Sequence, residues 1–427
     1  MKFEEVATGN KAILAAAVAA LLVGCGGSSG NGDPETANQL TFDDGLSAQG
    51  ADVSTVAALE GSAEALVEDG NVIAEFIANL NEEIGSVNRP DLGGGEIATF
   101  GLAERSHRPL DLAVLSPQTH RDRSARIGTP RNQPLGTLSS QELPEGEWTS
   151  TLRCPEGGQL RSDLARKIDV EGDTRILSET LLQTFETCTV GVANGEQLVL
   201  DGTWKTQFEE QDSSETLADD SVKGEWTDTF ATTIDLRGSR SGIDDALVLD
   251  GALSGEESGD WSESGDAVNG SGMLIVNVER MEARLETHAG TPVYVGQLEG
   301  SLIEEFTFSG SSFETLNETG ETQISGKLVS SGMAGALSIR TEKTVRYEGS
   351  AEDLQQACPS EGVVVLSGAR GDAVEVAFGV DTGNTGQEVS VEVAGDFKLY
   401  PTCAEADYLG PVFFGPFSQI TEGAATD

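Results

Sequence analysis

The stretch Ala373-Val374-Glu375-Val376-Ala377-Phe378-Gly379-Val380 places a large apolar side chain at every second position. Successive side chains of a β-strand point to opposite faces, so this period of two predicts a strand with one buried and one solvent-facing side. The same period recurs in residues 389–399 and 337–347. It is weaker in residues 160–170, where Ser162 and Arg166 interrupt the apolar side. The fold is therefore predicted to be mainly β.

Short turn sequences separate these apolar runs. Glycine and asparagine adopt the positive φ angles that tight hairpins require, so such sequences predict strand reversals. We expect one large antiparallel meander sheet or a soluble β-barrel over residues 146–420. The turn sequences are Glu171-Gly172-Asp173, Ala193-Asn194-Gly195, Ala369-Arg370-Gly371-Asp372 and Asp381-Thr382-Gly383-Asn384.

All four tryptophans lie two residues after a glycine, and an apolar-x-Gly step also recurs at irregular intervals. Irregular spacing argues against a solenoid of fixed period and favours strands of one sheet. A tryptophan on such a strand either covers the core or stacks on a sugar or another ligand. The core role is commoner, and the candidate ligand-binding residues are Trp148, Trp204, Trp226 and Trp261.

Residues 46–87 predict a short helical segment. Leu59, Ala63, Leu66 and Ile73 begin an apolar stripe at helical spacing that continues to Ile84. Ser54 is the expected N-cap and Gly85 the expected end of the helix. Asp69-Gly70-Asn71 interrupts the pattern, which predicts two short helices or one kinked helix.

Residues 88–145 predict a disordered linker that is rich in proline and arginine. Its prolines prevent regular ladders and long helices. Six arginines stand among few acidic residues in this linker, which is the one basic part of an acidic chain: Arg105, Arg108, Arg121, Arg123, Arg126 and Arg131. We expect a solvated spacer, with an alternative in which the linker lies against the acidic domain or on lipopolysaccharide phosphates.

The N-terminus carries a targeting signal. Residues 12–23 contain only Ala, Ile, Leu and Val, a run that suits the core of a signal peptide and is too short to span a bilayer as a helix. The run ends in Leu22-Val23-Gly24-Cys25, which resembles the lipobox of bacterial lipoproteins. The resemblance implies a signal peptide over 1–24, a lipid on Cys25, a flexible tether over 25–45 and, because Gly26 follows, transfer to the outer membrane.

If Cys25 carries the lipid, an even number of cysteines remains in an exported chain, which predicts two disulfides. Cys154 and Cys188 are equidistant from the predicted turn at Glu171, so a hairpin brings them opposite each other. Cys358 and Cys403 are the second expected pair, with similar flanking residues. No C-x-x-C pair is present and the chain has 3 His, so we expect no metal site.

The chain is strongly acidic, with 72 acidic against 26 basic residues and a formal net charge of -46. A field of this sign repels nucleic acid, which excludes it as a partner. The acidic residues are spread along the chain, which favours solubility in high salt over a cation-binding surface.

No catalytic or cofactor-binding motif is present. The sequence lacks a G-x-S-x-G elbow, a Walker loop, an H-E-x-x-H pair and a dinucleotide fingerprint. We therefore expect no cofactor and no enzymatic activity, but a lipoprotein anchored in the outer membrane, facing the periplasm or the cell surface, whose β domain has a structural role or binds an envelope protein or a glycan. One alternative is an envelope hydrolase that uses acidic residues. Another is a ligand-binding barrel, because Val293-Tyr294-Val295-Gly296 and Arg346-Tyr347-Glu348-Gly349 are faintly similar to strands of the transferrin-binding class of surface lipoproteins. The sequence ends in a polar tail over 421–427.

Overall fold

The structure is a computed structural model, and it shows one helix and fourteen strands in the described part of the chain. The described residues are 46, 49–87, 146–172, 174–191, 196–217, 221–265, 267–286, 292–311, 316–350, 359–368, 372–380, 388–401 and 406. The elements in chain order are α1 (Val56–Val87), β1 (Gly146–Arg153), β2 (Gly157–Glu171), β3 (Thr174–Gly191), β4 (Gln197–Thr216), β5 (Val222–Arg240), β6 (Ile243–Ser264), β7 (Ala267–Glu286), β8 (Pro292–Gly310), β9 (Leu316–Ser330), β10 (Gly335–Ser350), β11 (Glu361–Ser367), β12 (Ala373–Val380), β13 (Glu388–Val393) and β14 (Asp396–Tyr400).

The strands form a single antiparallel sheet in which the spatial order equals the order along the chain. β1 and β14 are the two ends of this order, so the sheet is an open meander, the first of the two predicted arrangements. Strands end and begin on either side of each predicted turn sequence, as β2 and β3 do around Gly172. The central strands are long: β6 has 22 residues. At about 3.3 Å per residue such a strand extends roughly 70 Å.

The helix lies across the strands on one face of the sheet. It contacts β3 near one end of the strand order, β7, β8 and β9 in the middle, and β13 and β14 at the other end. In a flat sheet β3 and β13 would be about 48 Å apart. A helix of 32 residues is about 48 Å long, so α1 can extend over this distance. We call the face that α1 covers the inner face.

One large apolar core lies on this inner face. Leu59, Leu66 and Ile73 of α1 are fully buried in it, as the helical stripe predicts. The core also contains Leu160 from β2 and Val391 from β13, near the two ends of the strand order. Burial of a large aliphatic side chain contributes roughly 1.5–3 kcal/mol. The helix and strands from both ends of the meander are thus stabilised by one shared core.

The helix begins one residue later than the sequence predicts. The backbone N–H of Ala58 donates to Thr55 Oγ1 at 3.1 Å, which makes Thr55 the N-cap. Ser54, the expected cap, instead donates its hydroxyl to Asp52 Oδ1 at 2.7 Å. The backbone N–H of Val56 donates to Asp396 Oδ2 on β14 at 2.9 Å. A tertiary contact therefore satisfies a terminal backbone donor that an isolated helix leaves unpaired.

α1 is one continuous helix of 32 residues, and it passes through Gly70 and Gly85. The Asp69 side chain does not end the helix because it binds another element. Asp69 Oδ2 accepts hydrogen bonds from Ser330 Oγ at 2.7 Å, Ser331 Oγ at 2.6 Å and the Gly332 N–H at 2.6 Å. Burial raises the pKa of Asp69, and these three donors partly offset the effect.

Glu60 fixes the first half of α1 to the edge of the sheet. Its Oε1 accepts hydrogen bonds from Lys398 Nζ and Tyr400 Oη, each at 2.6 Å. The hydrogen bond from Lys398, followed by that from Tyr400, lowers the pKa of Glu60. Asp69 and Glu60 thus tie the helix to two widely separated parts of the meander.

Cys154 and Cys188 form the predicted disulfide, with their Cα atoms 5.3 Å apart. The geometry differs from a simple cross-strand bridge, because Cys154 lies in the turn between β1 and β2. Cys188 follows a register shift in β3, next to Thr187 with its positive φ of 45°. The bridge therefore joins a hairpin turn to a bulged strand.

Several predicted features lie outside the described residues. They are the signal peptide over 1–24, the lipidation residue Cys25, the tether over 25–45, the linker over 88–145, the polar tail over 421–427 and the second cysteine pair, Cys358 with Cys403.

Candidate functional site

Three of the four candidate tryptophans point into the protein. Trp204, Trp226 and Trp261 are 3%, 3% and 7% exposed, and each belongs to an apolar core cluster. Trp148 lies in β1 opposite Leu164. The three buried rings cover the inner face of the sheet, so they do not form an exposed stacking platform.

The Gly-x-Trp repeats have a structural explanation in the register of β5 and β6. Gly224 pairs with Trp261, and Trp226 pairs with Gly259, so the tryptophan of each repeat lies opposite the glycine of the other repeat. A Cβ atom on Gly259 would lie 2.5 Å from the Trp226 ring, and one on Gly224 would lie 2.4 Å from Trp261 Nε1. Each ring therefore lies over the backbone of the opposite glycine, where only glycine leaves room.

Four further aromatic rings are seated in the same way. In each pair the ring and the glycine are direct register partners on neighbouring strands. Aromatic rings that cover cross-strand glycines compensate for the weak strand propensity of glycine. These pairs are Phe230 with Gly255, Phe306 with Gly272, Phe308 with Gly270 and Tyr347 with Gly320.

A row of buried acidic residues lies beside these rings on the inner face. Glu210 pairs with Asp228, and Asp228 pairs with Glu257, on three adjacent strands. They are 8%, 4% and 2% exposed. Arg175 Nη1 contacts Glu210 Oε1 at 2.9 Å, and Trp226 Nε1 donates to Glu257 Oε1 at 3.1 Å. Like charges placed directly opposite each other weaken a sheet, so we expect repulsion between neighbouring carboxylates of this row.

Tyr347 continues the polar layer. Its hydroxyl contacts Glu304 Oε1 and lies 3.1 Å from Glu318 Oε1. Burial, followed by the two negative carboxylates, raises the pKa of Tyr347. The phenol therefore keeps its proton and acts as a hydrogen-bond donor. Within the described residues, no group of three or more His, Cys, Asp or Glu side chains is arranged to hold a metal ion.

The outer face of the sheet carries a groove of about 800 Å³. It crosses β5 to β9, and each strand contributes one small residue from a single register row. This row consists of Ala231, Ser254, Asn277, Ser301 and Ser325. Their side chains are exposed or half-buried, whereas most of the large apolar side chains of the same strands are buried, with Met273 and Ile303 as exposed exceptions. We call this feature the transverse groove.

Charged residues and glycines complete the lining of the transverse groove. Glu279, Glu299 and Lys327 supply its charged side chains, and Gly300 and Gly326 supply bare backbone. The Gln297 amide lies on the opposite, inner face of the sheet, over these two glycines. Its Nε2 is 2.0 Å from the position that a Cβ atom on Gly300 would occupy and 3.0 Å from that on Gly326. Gln297 is 2% exposed, and its Oε1 accepts no hydrogen bond from the described part of the protein.

The groove extends to an interruption in the ladder between β9 and β10. The register passes directly from Leu328–Leu337 to Thr322–Val345, so residues 323–327 and 338–344 are not paired with each other. On its other side, β10 pairs with β11 over residues 338–346. The Thr341 hydroxyl bridges the interruption, because Oγ1 accepts from the Ile324 N–H at 2.8 Å and donates to the Ile324 carbonyl at 3.2 Å.

The sequence pattern does not reveal the groove residues. Ser254, Asn277, Ser301 and Ser325 are ordinary residues of solvent-facing strand positions, and they converge only when the register of five strands is known. The sequence signal was the placement of Ala, Ser and Asn in the outward positions of successive strands.

No protein-family model, curated protein or solved structure matches this chain. The helix that the structure describes lacks a stretch both long and apolar enough to cross a bilayer.

Proposed function

We propose that this protein is a lipoprotein of the bacterial outer membrane whose β domain binds an envelope ligand without chemical turnover. The transverse groove is the observation that supports a binding role, because it is a broad depression on the outer face of the sheet, lined by small polar side chains. Binding sites built on sheet positions are held more precisely than sites on loops. The lipobox supports attachment through Cys25, on the side of the membrane that faces the periplasm or the cell surface.

The anchor is tested by Cys25→Ala. The variant is expected to leave the membrane fraction and to lose labelling by a palmitate analogue. The Cys154→Ser/Cys188→Ser double variant is the control, since it removes two other cysteines and is expected to stay in the membrane fraction. Retention of the Cys25→Ala protein in the membrane would contradict lipid anchoring.

A hydrolase is the second candidate function, and one observation favours it. Glu279 and Glu299 line the same groove, and glycoside hydrolysis commonly uses two carboxylates that flank the scissile bond. The two functions differ in the effect of Glu279→Gln and Glu299→Gln. A binding protein is expected to keep its ligand unchanged in the wild type and in both variants, whereas a hydrolase would shorten it in the wild type and lose that activity in the variants.

A further inference from the structure

The two ends of the strand order differ, and the β1 end suits a second copy of this chain. We propose that two copies pair through the outer edges of their β1 strands, antiparallel and in one register, so that the two sheets become continuous. A two-fold axis passes between the Ser150 residues of the two copies, and residues 146–153 of each copy form the contact.

The outer edge of β1 lacks the usual protection of an edge strand. In the described part of the chain, β2 lies on one side of β1 and no strand lies on the other. Proteins commonly protect such an edge with proline, lysine, a β-bulge or an inward-pointing charge. β1 contains no proline or lysine, and its register with β2 runs without a shift. Its even positions, which share a face with the buried Leu160, carry no charged residue.

β14, at the other end of the meander, has the protection that β1 lacks. Asp396 and Lys398 lie on the inner face, because their register partners on β13 are buried in the core. Asp396 Oδ2 accepts a hydrogen bond from the Val56 N–H at 2.9 Å, and Lys398 Nζ donates to Glu60 Oε1 at 2.6 Å. Two inward charges held by α1 oppose pairing with another strand. We therefore expect contact between copies at β1.

The backbone groups at the outer edge of β1 belong to its odd-numbered residues. The Cys154 N–H donates to the Gly158 carbonyl at 3.3 Å, and these two residues continue the register of β1 with β2. In an antiparallel pair, residues that bond to the partner strand alternate with residues whose backbone points away. Even-numbered residues of β1 therefore bond to β2, and the N–H and C=O groups of the odd-numbered residues point to the outer edge.

The sequence of β1 is self-complementary about Ser150 when two copies run antiparallel. Such pairing places Glu147 of one copy opposite Arg153 of the other, and Thr149 opposite Thr151. Opposite charges and paired threonines are favourable cross-strand pairs. A two-fold axis one residue away in either direction no longer places Glu147 opposite Arg153. The charges therefore select the register about Ser150.

The same register satisfies the backbone at the outer edge. Glu147 with Arg153 and Thr149 with Thr151 are pairs of odd-numbered residues, and each pair occurs twice by symmetry. Each hydrogen-bonded pair exchanges two bonds, so the contact forms about eight backbone hydrogen bonds, within the range of about 10 ± 5 for a typical interface. Two independent features, side-chain charge and backbone direction, thus agree on one arrangement.

The local charge permits two copies of an acidic chain to approach at β1. The whole chain carries -46, whereas β1 and β2 together contain four Lys and Arg against four Asp and Glu and are neutral. At physiological ionic strength, exposed charges separated by more than about 8 Å are largely screened. Repulsion between distant acidic residues is therefore weak, and the local charge does not oppose contact at this edge.

The first experiment measures the mass of the full mature chain in a mild detergent by light scattering over a range of concentrations. The wild type is expected to form a dimer. Thr151→Pro removes an N–H at the outer edge and keeps the pairing with β2, so it is expected to raise the dimer dissociation constant at least tenfold at a similar melting temperature. Thr151→Val keeps the N–H and is the matched control, expected to dimerise like the wild type.

Two results of this measurement would overturn the inference. One is a wild type that stays monomeric at the highest soluble concentration, which would leave the edge to a different partner or to none. The other is a dimer that Thr151→Pro does not weaken, which would place the contact elsewhere on the molecule.

Exchange of charges tests the register. Glu147→Arg and Arg153→Glu each place like charges opposite each other, and each is expected to weaken the dimer at least fivefold. An equimolar mixture of the two variants restores opposite charges at both facing pairs, so a mixed dimer is expected to form with the affinity of the wild type. A mixture that dimerises no better than either variant alone would contradict the register about Ser150.

A cysteine on the two-fold axis locates the contact directly. Ser150→Cys faces its own copy in a non-hydrogen-bonded pair, where Cα atoms are about 4.5 Å apart and a disulfide can form. Thr149→Cys is the control, because its own copy lies two residues further along, at roughly 8–9 Å between Cα atoms, which is too far for a disulfide. Peptide mapping after mild oxidation is expected to find the bond between copies in Ser150→Cys alone. Equal linkage of both variants, or none in Ser150→Cys, would refute the pairing.

Discussion

The reciprocal seating of Trp226 and Trp261 predicts a large effect for Gly259→Ala. The added Cβ would lie 2.5 Å from the Trp226 ring and 2.3 Å from the backbone oxygen of Ser271. The backbone oxygen belongs to the neighbouring strand and cannot move without disturbing the ladder. The ring must therefore leave its position, and its hydrogen bond of 3.1 Å to Glu257 is lost with it.

The magnitude follows from three contributions. Overpacking a filled site costs typically 1–3 kcal/mol. Loss of a buried hydrogen bond to a charged group costs about 1.5–3 kcal/mol, part of which is recovered if the indole finds another partner. The lower entropy of the unfolded chain offsets roughly 0.4–1 kcal/mol, as in any replacement of glycine by alanine. We expect a net loss of about 2–4 kcal/mol in the free energy of unfolding.

Gly61→Ala is the matched control. Gly61 is an exposed residue of α1, and a Cβ there meets no heavy atom within 4 Å. The same substitution is expected to stabilise the protein by about 0.5–1 kcal/mol. Urea unfolding followed by tryptophan fluorescence and far-ultraviolet circular dichroism measures both effects.

A double-mutant cycle with Trp226→Leu tests the cause of the effect. Because the leucine removes the ring that clashes, Gly259→Ala is expected to cost at least 1 kcal/mol less in the Trp226→Leu background, a coupling of the size seen for residues in contact (about 0.5–3 kcal/mol). Additive effects, or a Gly259→Ala protein as stable as the Gly61→Ala control, would refute the proposed seating.

Four further predictions concern the polar contacts and the disulfide. Burial raises the pKa of Asp69, so the contribution of Asp69 to the free energy of unfolding is complete below the ordinary carboxyl pKa and falls as the pH rises through the raised pKa. In a series of urea unfolding midpoints measured against pH, Asp69→Asn should remove this decrease in stability. Thr341→Val should cost about 1–3 kcal/mol and speed amide exchange in the middle of β9, and unchanged exchange would contradict the bridging role. Asp228→Asn should raise the melting temperature at neutral pH, because it removes the charge at the centre of the acidic row. The repulsion removed is about 0.2–1 kcal/mol for each neighbouring carboxylate. Replacing Cys154 and Cys188 by serine opens a loop with a sequence separation of 34 and should cost about 3–4 kcal/mol in unfolding experiments without reductant.

The period-two pattern predicted the sheet, because the alternation in residues 374–380 and 389–393 reflects which side chains are buried and can be recognised without knowing the neighbouring strands. The register between strands cannot be recognised from one strand alone. The Gly-x-Trp repeats were visible in the sequence, but their reciprocal pairing depends on which strand lies next to which. The transverse groove could not be predicted for the same reason.

Buried polar residues account for the weakest part of the sequence prediction. Ser162 and Arg166 interrupt the apolar side of β2, yet both are buried. Arg166 Nε contacts Glu179 Oε1 on β3 at 3.1 Å, so a cross-strand ion pair occupies a position where the pattern requires an apolar residue. Asp69 was similarly read as a break in the helix because its three donors come from a distant loop. The lipobox prediction concerns residues outside the described part and stays a prediction.

The contacts of α1 impose an order on folding. Each hairpin of the meander closes between neighbours in the chain, so the strands can assemble one after another. The helix precedes them all, yet its Asp69 and Val56 bind residues that are 261 and 340 positions later. Contacts of such separation form late and slowly. Until the last strands have formed, the apolar stripe of the helix lacks part of the surface that buries it, and an apolar surface exposed during folding promotes aggregation.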